Sequence, residues 1–198
     1  MEKDLIINLF RGVWPMVLIF CVVIISLRII YIIKYKIKFV LYEELFYLAF
    51  LVYIMLLFHI VTFQDVSWST SNFTFFKEIF RYRVGSRVFY RNVIGNMMMF
   101  MPYGLFVSYF FKLKRPYLII FLSLIVSITI ETTQMVIGRV FDVDDILLNV
   151  LGGLIGYLLY KILKKIISKL PSFLKKTYLY NIIVILVIVM LFIIIVVL

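Results

Sequence analysis

Two segments of the chain carry most of the side chains that could bind a ligand or take part in a reaction. The first, at 83–106, places arginines and asparagines at four-residue intervals, so that each set shares a face if the segment is helical. These residues are Arg83, Arg87, Arg91, Asn92 and Asn96. The planar guanidinium group of arginine binds carboxylate or phosphate through two hydrogen bonds. We therefore expect this face to meet an anion or an acidic partner segment.

The second segment, at 131–160, is rich in carboxylates, amides and glycine. Its members are Glu131, Gln134, Arg139, Asp142, Asp145, Asn149, Gly152 and Gly156. The intervals of three and four residues from Asp142 onward are typical of one helix face. Glu131 is a candidate general base, and Asp142 and Asp145 are weak candidates for ligands of a hard cation such as Mg²⁺. We nevertheless predict no resident metal and no cofactor.

The composition places these polar segments in a membrane protein. The chain has 198 residues, of which 65% are apolar and only 16% are charged, against about 45–50% and about 25% in soluble domains. These values exclude a soluble enzyme, a disordered chain and a disulfide-rich secreted module. Cys21 and His59 are the single residues of their types, so a disulfide, a cysteine metal site and a Ser-His-Asp triad have little to be built from.

A membrane-spanning helix needs about 20 mostly apolar residues, and six segments of the sequence qualify. They lie at 13–33, 45–63, 88–111, 117–135, 146–163 and 179–198. We therefore predict an all-α, polytopic transmembrane bundle that forms a single membrane domain over 1–198. We expect the segment at 64–87 to lie at the membrane interface or to re-enter the membrane.

The distribution of lysine and arginine predicts the orientation, because short cytoplasmic loops are rich in both. The cations that follow the first, third and fifth spans are Lys34, Lys36, Lys38, Lys112, Lys114, Arg115, Lys161, Lys164, Lys165, Lys169, Lys175 and Lys176. In contrast, the outer segments at 64–91 and 131–145 hold equal numbers of positive and negative residues. We expect the basic loops to be cytoplasmic and both termini to lie outside. A nucleic-acid binder is unlike this pattern, because its basic residues share a wettable face.

Ionisable residues at membrane depth cost several kcal/mol unless they are paired or hydrated, and two interpretations of the outer charges stay open. In the first, Arg87, Arg91 and Arg139 neutralise the nearby carboxylates and fix the packing of helices. In the second, the same groups form a polar pocket at the outer leaflet, in which the arginines bind an anionic headgroup and the carboxylates bind a metal or a proton. If Arg139 is paired with a carboxylate, removal of both partners should be tolerated better than removal of one.

Proline and glycine mark the places where spans bend or approach closely. Pro102 and Gly104 lie inside the third span, where a proline frees a carbonyl and kinks a helix. Gly152 and Gly156 form a GxxxG motif, which usually lets another helix pack closely. We interpret these four residues, together with Phe100 of the third span, as structural.

The two polar segments together resemble the VanZ-like family of bacterial membrane proteins. The first segment has the pattern N-x3-F-x-P-x-G through Asn96, Phe100, Pro102 and Gly104. The second has the pattern E-x2-Q-x4-R-x2-D-x2-D-x3-N-x2-G-x3-G, from Glu131 to Gly156. The stretch SNFTFF at 71–76 looks like the Asn-Leu-x-Pro-Phe stretch of that family, although Thr74 and Phe75 replace its common Ile and Pro. The resemblance covers 40–160 and leaves 179–198 as an additional C-terminal helix.

This resemblance implies a multi-pass protein of the bacterial cytoplasmic membrane, in a family whose named member is associated with low-level resistance to teicoplanin. Our leading hypothesis is a non-enzymatic cell-envelope protein that binds an anionic lipid or a lipid-linked cell-wall precursor. Its ligand-binding residues would be Arg87, Arg91, Asn92, Asn96, Glu131, Gln134, Arg139, Asp142, Asp145 and Asn149. We expect membrane lipids as partners and no nucleic acid.

Two other functions are kept as alternatives. One is a membrane-embedded enzyme that modifies a lipid headgroup with a carboxylate-bound metal, although the sequence shows no activated nucleophile and no phosphate-binding glycine loop. The other is a small transporter, a class in which broken helices are common, although the two halves show no repeat. The sequence identifies neither the ligand nor the oligomeric state.

Overall fold

The structure, a computed structural model, describes the backbone of residues 2–63 and 71–197 and the side chains of 12–62, 71–77 and 79–190. The helices are α1 (Glu2–Tyr35), α2 (Leu41–Phe63), α3 (Lys77–Arg81), α4 (Arg87–Phe89), α5 (Gly95–Phe110), α6 (Pro116–Val136), α7 (Val143–Lys169) and α8 (Thr177–Val197). A π-helical turn at Tyr90–Ile94 joins α4 to α5, and a 3-10 turn at Ser172–Lys175 precedes α8. Across the described backbone, the one extended pairing is an isolated bridge between Asn72 and Asp142.

The predicted all-α membrane architecture is confirmed. Five helical stretches are long and apolar enough to cross a membrane, and they correspond to the first five predicted spans. They are Gly12–Tyr35, Leu41–Thr62, Arg87–Phe110, Pro116–Val136 and Val143–Lys169. The sixth predicted span coincides with α8, of which the shorter apolar part Thr177–Met190 has described side chains. The number of spans and the location of the termini stay predictions, and residues 64–70 of the expected interfacial segment lie outside the described residues.

The chain forms two compact units whose boundaries fall within α2 and α7. The first comprises Met1–Leu56 and Ile166–Leu198. In it, Arg28 of α1 forms a two-pronged ion pair with Glu44 of α2, with Nε–Oε2 and Nη2–Oε1 distances of 2.8 and 2.9 Å. The backbone N–H of Tyr42 donates to the side-chain oxygen of Asn181 at 3.1 Å, which joins α2 to α8. All of the polar motif residues belong to the second unit, Leu57–Lys165.

The core of the second unit is a contact between the backbones of α5 and α7. A Cβ atom added to Gly104 would overlap the carbonyl group of Gly153, and one added to Gly152 would overlap that of Met97. A Cβ atom on Gly156 would meet the carbonyl oxygen of Met101. Glycine is therefore required on both helices. The close approach at Gly152 and Gly156 agrees with the prediction from the GxxxG motif, whereas the role of Gly104 in this contact was not predicted.

Helix α6 packs against the same contact through small polar side chains. Ser123 lies against Gly153, and Ser127 accepts a hydrogen bond from the amide of Asn149 at 2.9 Å. Phe100 of α5 is fully buried. Further along α7, the hydroxyl of Tyr157 donates to the carbonyl oxygen of Lys114 at 2.9 Å, which fixes the loop between α5 and α6.

The start of the third span differs from the regular helix that the arginine spacing predicts. Arg83 precedes α4, and the π-helical turn at Tyr90–Ile94 interrupts the α-helical register between Arg91 and Asn96. Because a π turn holds an additional residue, the expectation of single α-helical faces for the arginines and the asparagines was wrong. Helix α5 continues through Pro102, and the kink expected there stays a prediction.

The glycine contact predicts a position-specific effect of adding one methyl group. Gly104→Ala should lower the midpoint of thermal unfolding strongly, because an overpacked core typically loses about 1–3 kcal/mol. Gly95→Ala in the same span is the matched control, since its added Cβ would lie 3.7 Å from the nearest atom, the carbonyl oxygen of Tyr90. Thermal unfolding of the detergent-solubilised chain measures both variants. Equal midpoints for the two would contradict the close α5–α7 contact.

Candidate functional site

The N-terminus of α7 is the centre of the polar network. Asp142 precedes this helix, and its Oδ1 accepts the backbone N–H of Asp144 at 2.8 Å, which is the geometry of a helix N-cap. The backbone N–H of Asp142 donates to Oε2 of Glu131 at 3.0 Å. The carboxylate of Glu131, with 2% of its surface exposed, thus connects the end of α6 to the start of α7.

The segment at 71–76 attaches to this helix start through Asn72. The backbone N–H of Asn72 donates to the carbonyl oxygen of Phe141 at 2.8 Å, and the backbone N–H of Val143 donates to that of Asn72 at 3.1 Å. Its side-chain amide donates to Oδ1 of Asp142 at 2.9 Å, while its Oδ1 accepts the backbone N–H of Thr74 at 3.1 Å. Asn72 is 4% exposed and is an integral part of the cluster.

Asp144 attaches the short helix α3 to α7. Its Oδ1 accepts the backbone N–H of Phe76 at 2.5 Å, and its Oδ2 accepts that of Ile79 at 3.3 Å. These N–H groups lie at the start of α3, where a helix leaves donors without intrahelical partners and favours negative charge. Asp144 is 1% exposed, so a buried carboxylate and a helix terminus satisfy one another.

Gln134 lies between Glu131 and Arg139. With its amide oriented to satisfy both neighbours, Gln134 donates to Oε1 of Glu131 at 3.1 Å and accepts from Nη1 of Arg139 at 2.9 Å. The same Nη1 donates to the carbonyl oxygen of Val61 at 2.5 Å. Arg139 therefore reaches Glu131 through an amide, and it forms no direct ion pair with a carboxylate among the described side chains.

Asp145 faces the third span. Its Oδ1 accepts a hydrogen bond from the side-chain amide of Asn96 in α5. One helical turn further along α7, Asn149 is bonded to Ser127 of α6. The two residues extend the polar face of α7 from its start into the α5–α6–α7 core.

The structure brings together six of the ten residues that the sequence suggested as a ligand site. They are Asn96, Glu131, Gln134, Arg139, Asp142 and Asp145, and Asn149 lies one turn deeper. Arg87 and Arg91 are exposed, and neither is paired with a carboxylate in the part of the chain described here. Arg91 donates to the side-chain oxygen of Asn92 at 3.3 Å.

Sequence reasoning missed Asn72 and Asp144. The resemblance of the SNFTFF stretch at 71–76 to the family was the one sequence signal that pointed to Asn72. Because Asn72 and Asp142 are 70 positions apart in the sequence, their hydrogen bond could not be predicted from residue spacing. Asp144 falls between Asp142 and Asp145, off the periodic face. Because Asp144 lies on another side of α7, its side chain contacts a different element, α3.

The chemistry of the cluster is that of a fixed, hydrogen-bonded acidic network. Backbone N–H groups and the amides of Asn72, Asn96 and Gln134 supply its donors. Within the described residues, no three His, Cys, Asp or Glu side chains are grouped so that they could hold a metal ion. The network can keep neighbouring segments in place and present the groups that they carry.

The motif residues and the helical membrane architecture agree with a comparison to protein families. The model of the VanZ/LLP1 family matches residues 44–164, which is more than half of the chain. The chain belongs to the VanZ/LLP1 family. The predicted family is thereby confirmed, and the match includes every residue of the polar network. No curated protein and no solved structure matched the chain.

The family match leaves α1 and the whole region after Lys164, including α8, outside its range. Residues 57–164 of the matched range, which include the whole polar network, lie in the second compact unit, and residues 44–56 lie in the first. The final helix, predicted as an addition to the family core, follows the matched range.

Glu131 provides a test of the network, because both of its oxygens accept hydrogen bonds. Glu131→Leu should destabilise the chain strongly, since each buried donor left unpaired costs about 1–3 kcal/mol. Glu131→Gln keeps an acceptor for the N–H of Asp142 and should be milder. Thermal unfolding in detergent distinguishes the two variants. If Leu and Gln were equivalent, the carboxylate would not be satisfying these donors.

Asn72 provides a second test of the network, in the segment at 71–76, whose contacts the sequence did not predict. Asn72→Ala removes two hydrogen bonds from a buried site and should cost about 1–3 kcal/mol of unfolding free energy. Asn92→Ala is the matched control on a solvent-accessible part of the same unit and should change stability by less than about 0.5 kcal/mol. Limited proteolysis after 71–76 should increase for Asn72→Ala alone. Unchanged cleavage would contradict the attachment of this segment.

Proposed function

We propose that this VanZ/LLP1 protein acts at the bacterial cell envelope by binding the phosphate of a membrane lipid or lipid-linked precursor. The binding surface is formed by Arg83, Arg87 and Arg91, which we name the arginine surface. In this proposal the protein lies in the cytoplasmic membrane with this surface at the outer leaflet. The acidic network positions the surface.

The observation that carries the proposal is how the arginine surface is held. Asp144 binds the backbone at the start of α3, and Asp145 binds Asn96 at the start of α5. The chain between these two attachment points contains all three arginines. Two consecutive side chains of α7 therefore fix both ends of the segment that bears the arginine surface.

The arginines are also available to an external anion. Arg83, Arg87 and Arg91 are exposed, and none of them forms an ion pair with a described carboxylate, because amides and backbone groups satisfy the acidic network. A guanidinium group binds phosphate through two parallel hydrogen bonds. Three such groups on one fixed segment match the charge of a phosphate or diphosphate.

The neighbours of the arginines favour a ligand that is embedded in a membrane. Phe80, Val84, Val88 and Tyr90 are all exposed large apolar side chains, and they alternate with the arginines along the segment. Arg87 is the first residue of a span, the level at which aromatic and arginine side chains lie between headgroups and acyl chains. A lipid-linked phosphate offers both the anion and the apolar chain for this surface.

The proposal also accounts for the glycopeptide resistance that the resemblance implies. A protein that binds a lipid-linked precursor at the outer leaflet would alter how a lipoglycopeptide such as teicoplanin reaches its target. The resistance then requires no chemical step. The arginine surface, and not a catalytic group, would determine it.

Binding of undecaprenyl phosphate tests the proposal, with undecaprenol as the ligand that lacks the phosphate. The chain in nanodiscs should bind the phosphate form, and the double variant R87Q/R91Q should bind it at least about tenfold more weakly, since each Lys or Arg near a lipid surface contributes about 1 kcal/mol. The variant K175Q/K176Q removes the same charge elsewhere and serves as the control. Equal affinity for undecaprenol, or equal weakening by both variants, would refute the arginine surface.

The same two variants allow a test in cells. At equal protein level, R87Q/R91Q should lose any protection against teicoplanin that the unchanged chain gives, and K175Q/K176Q should retain it. Conversion of undecaprenyl phosphate into a new species in the nanodisc experiment would instead indicate an enzyme.

A further inference from the structure

A second cationic site lies at the opposite end of the same unit, around the loop that joins α5 to α6. An open depression of about 330 Å³ is lined by residues of this loop and of the first turn of α6. Its lining combines the cations Lys112, Lys114 and Arg115 with the apolar side chains of Phe111, Tyr117 and Leu118. Charge and apolar surface thus share one concave feature.

The loop is held in place from inside the unit. Leu113 is buried, and its backbone N–H donates to the carbonyl oxygen of Ser108 at 3.1 Å. The hydroxyl of Tyr157, itself a buried residue, donates to the carbonyl oxygen of Lys114 at 2.9 Å. The three cations of the loop therefore lie on a backbone that is anchored to α7.

Aromatic rings hold further cations of this end in place. The guanidinium group of Arg115 lies 5.9 Å from the ring of Tyr117, and Nζ of Lys161 lies 5.8 Å from the ring of Tyr157. Nζ of Lys164 lies 5.6 Å from the ring of Tyr160 and donates to its hydroxyl at 3.4 Å. Cation–π contacts of this kind reduce the number of side-chain positions that must be ordered when an anion binds.

The cations of this end are not paired with any carboxylate of the unit's described residues. The sequences at 111–130 and 146–165 contain no aspartate or glutamate, and the acidic residues of the unit's described part lie at the other ends of α6 and α7. None of Lys112, Lys114, Arg115, Lys161 and Lys164 forms an ion pair within the described residues. This end of the unit is therefore a preorganised region of positive charge beside exposed apolar side chains.

We infer that this depression binds the phosphate headgroup of an anionic glycerophospholipid in the leaflet opposite the arginine surface. The headgroup phosphate lies against Lys112, Lys114 and Arg115, and the acyl chains lie along the exposed faces of Phe111 and Leu118. Basic pockets between helices on the cytoplasmic side are a general mode of anionic lipid recognition. The basic loops therefore have a role besides setting the orientation, and this inference is independent of the proposed function.

Native mass spectrometry of the full chain with phosphatidylglycerol and phosphatidylcholine tests the inference. The unchanged chain should retain phosphatidylglycerol at least about tenfold more strongly, and K112Q/K114Q/R115Q should lose this preference. The variant K34Q/K36Q/K38Q, which removes three cations from the loop after α1, is the charge-matched control and should keep it. R87Q/R91Q should keep it also, because the arginine surface lies at the other end.

Three results would overturn the assignment. One is equal retention of the two lipids by the unchanged chain, a result that does not depend on how any variant folds. Another is equal loss of phosphatidylglycerol from the site variant and the charge-matched control, which would reflect net charge alone. The third is displacement of phosphatidylglycerol by inorganic phosphate at equal concentration, which would make a free anion the ligand. If K112Q/K114Q/R115Q unfolds, the single variant R115Q should still bind phosphatidylglycerol more weakly than the unchanged chain.

Discussion

The organisation of the second unit depends on one constraint, that each buried carboxylate must receive hydrogen bonds. Desolvated carboxylates are costly unless donors surround them, and here the donors are backbone N–H groups and side-chain amides. Glu131 receives the N–H that begins α7, Asp144 receives the start of α3, and Asp145 receives the amide of Asn96. Satisfying these three acids therefore fixes the relative positions of α3, α5, α6 and α7.

Because amides and backbone N–H groups donate to the acids, Arg87 and Arg91 form no ion pair with the described carboxylates. If arginines neutralised the acidic network, the guanidinium groups of Arg87 and Arg91 would be ion-paired within the protein. Instead, Arg139 contacts the described part of the network through Gln134 and a backbone carbonyl. The acids, bonded to neutral donors, therefore hold the helices together. The exposed guanidinium groups of Arg87 and Arg91 are left accessible to solvent.

The sequence predicted the elements better than the contacts between them. Apolar length and glycine spacing report on single helices, so five of the predicted apolar helices and a close helix contact at Gly152 and Gly156 could be predicted from the residues. That α5 is the partner helix could not. The hydrogen-bond partners within the polar network could not be predicted, because the sequence does not show whether an arginine or an asparagine faces a given aspartate. The π turn at Tyr90–Ile94 had no counterpart in residue spacing, and it changed the predicted faces of the third span. Asn72 was hidden by its long separation from Asp142 along the chain.

The backbone contact at Gly104, Gly152 and Gly156 has a consequence for how such a protein can diverge. Where main chains touch, no larger residue can replace glycine, but side chains that point toward lipid can be exchanged for almost any apolar residue of similar length. Leu, Ile, Val and Phe at those positions carry little information about ancestry. Common ancestry in a chain of this kind is therefore recognised from a few small and polar residues, because most of its apolar positions can change without loss of the fold.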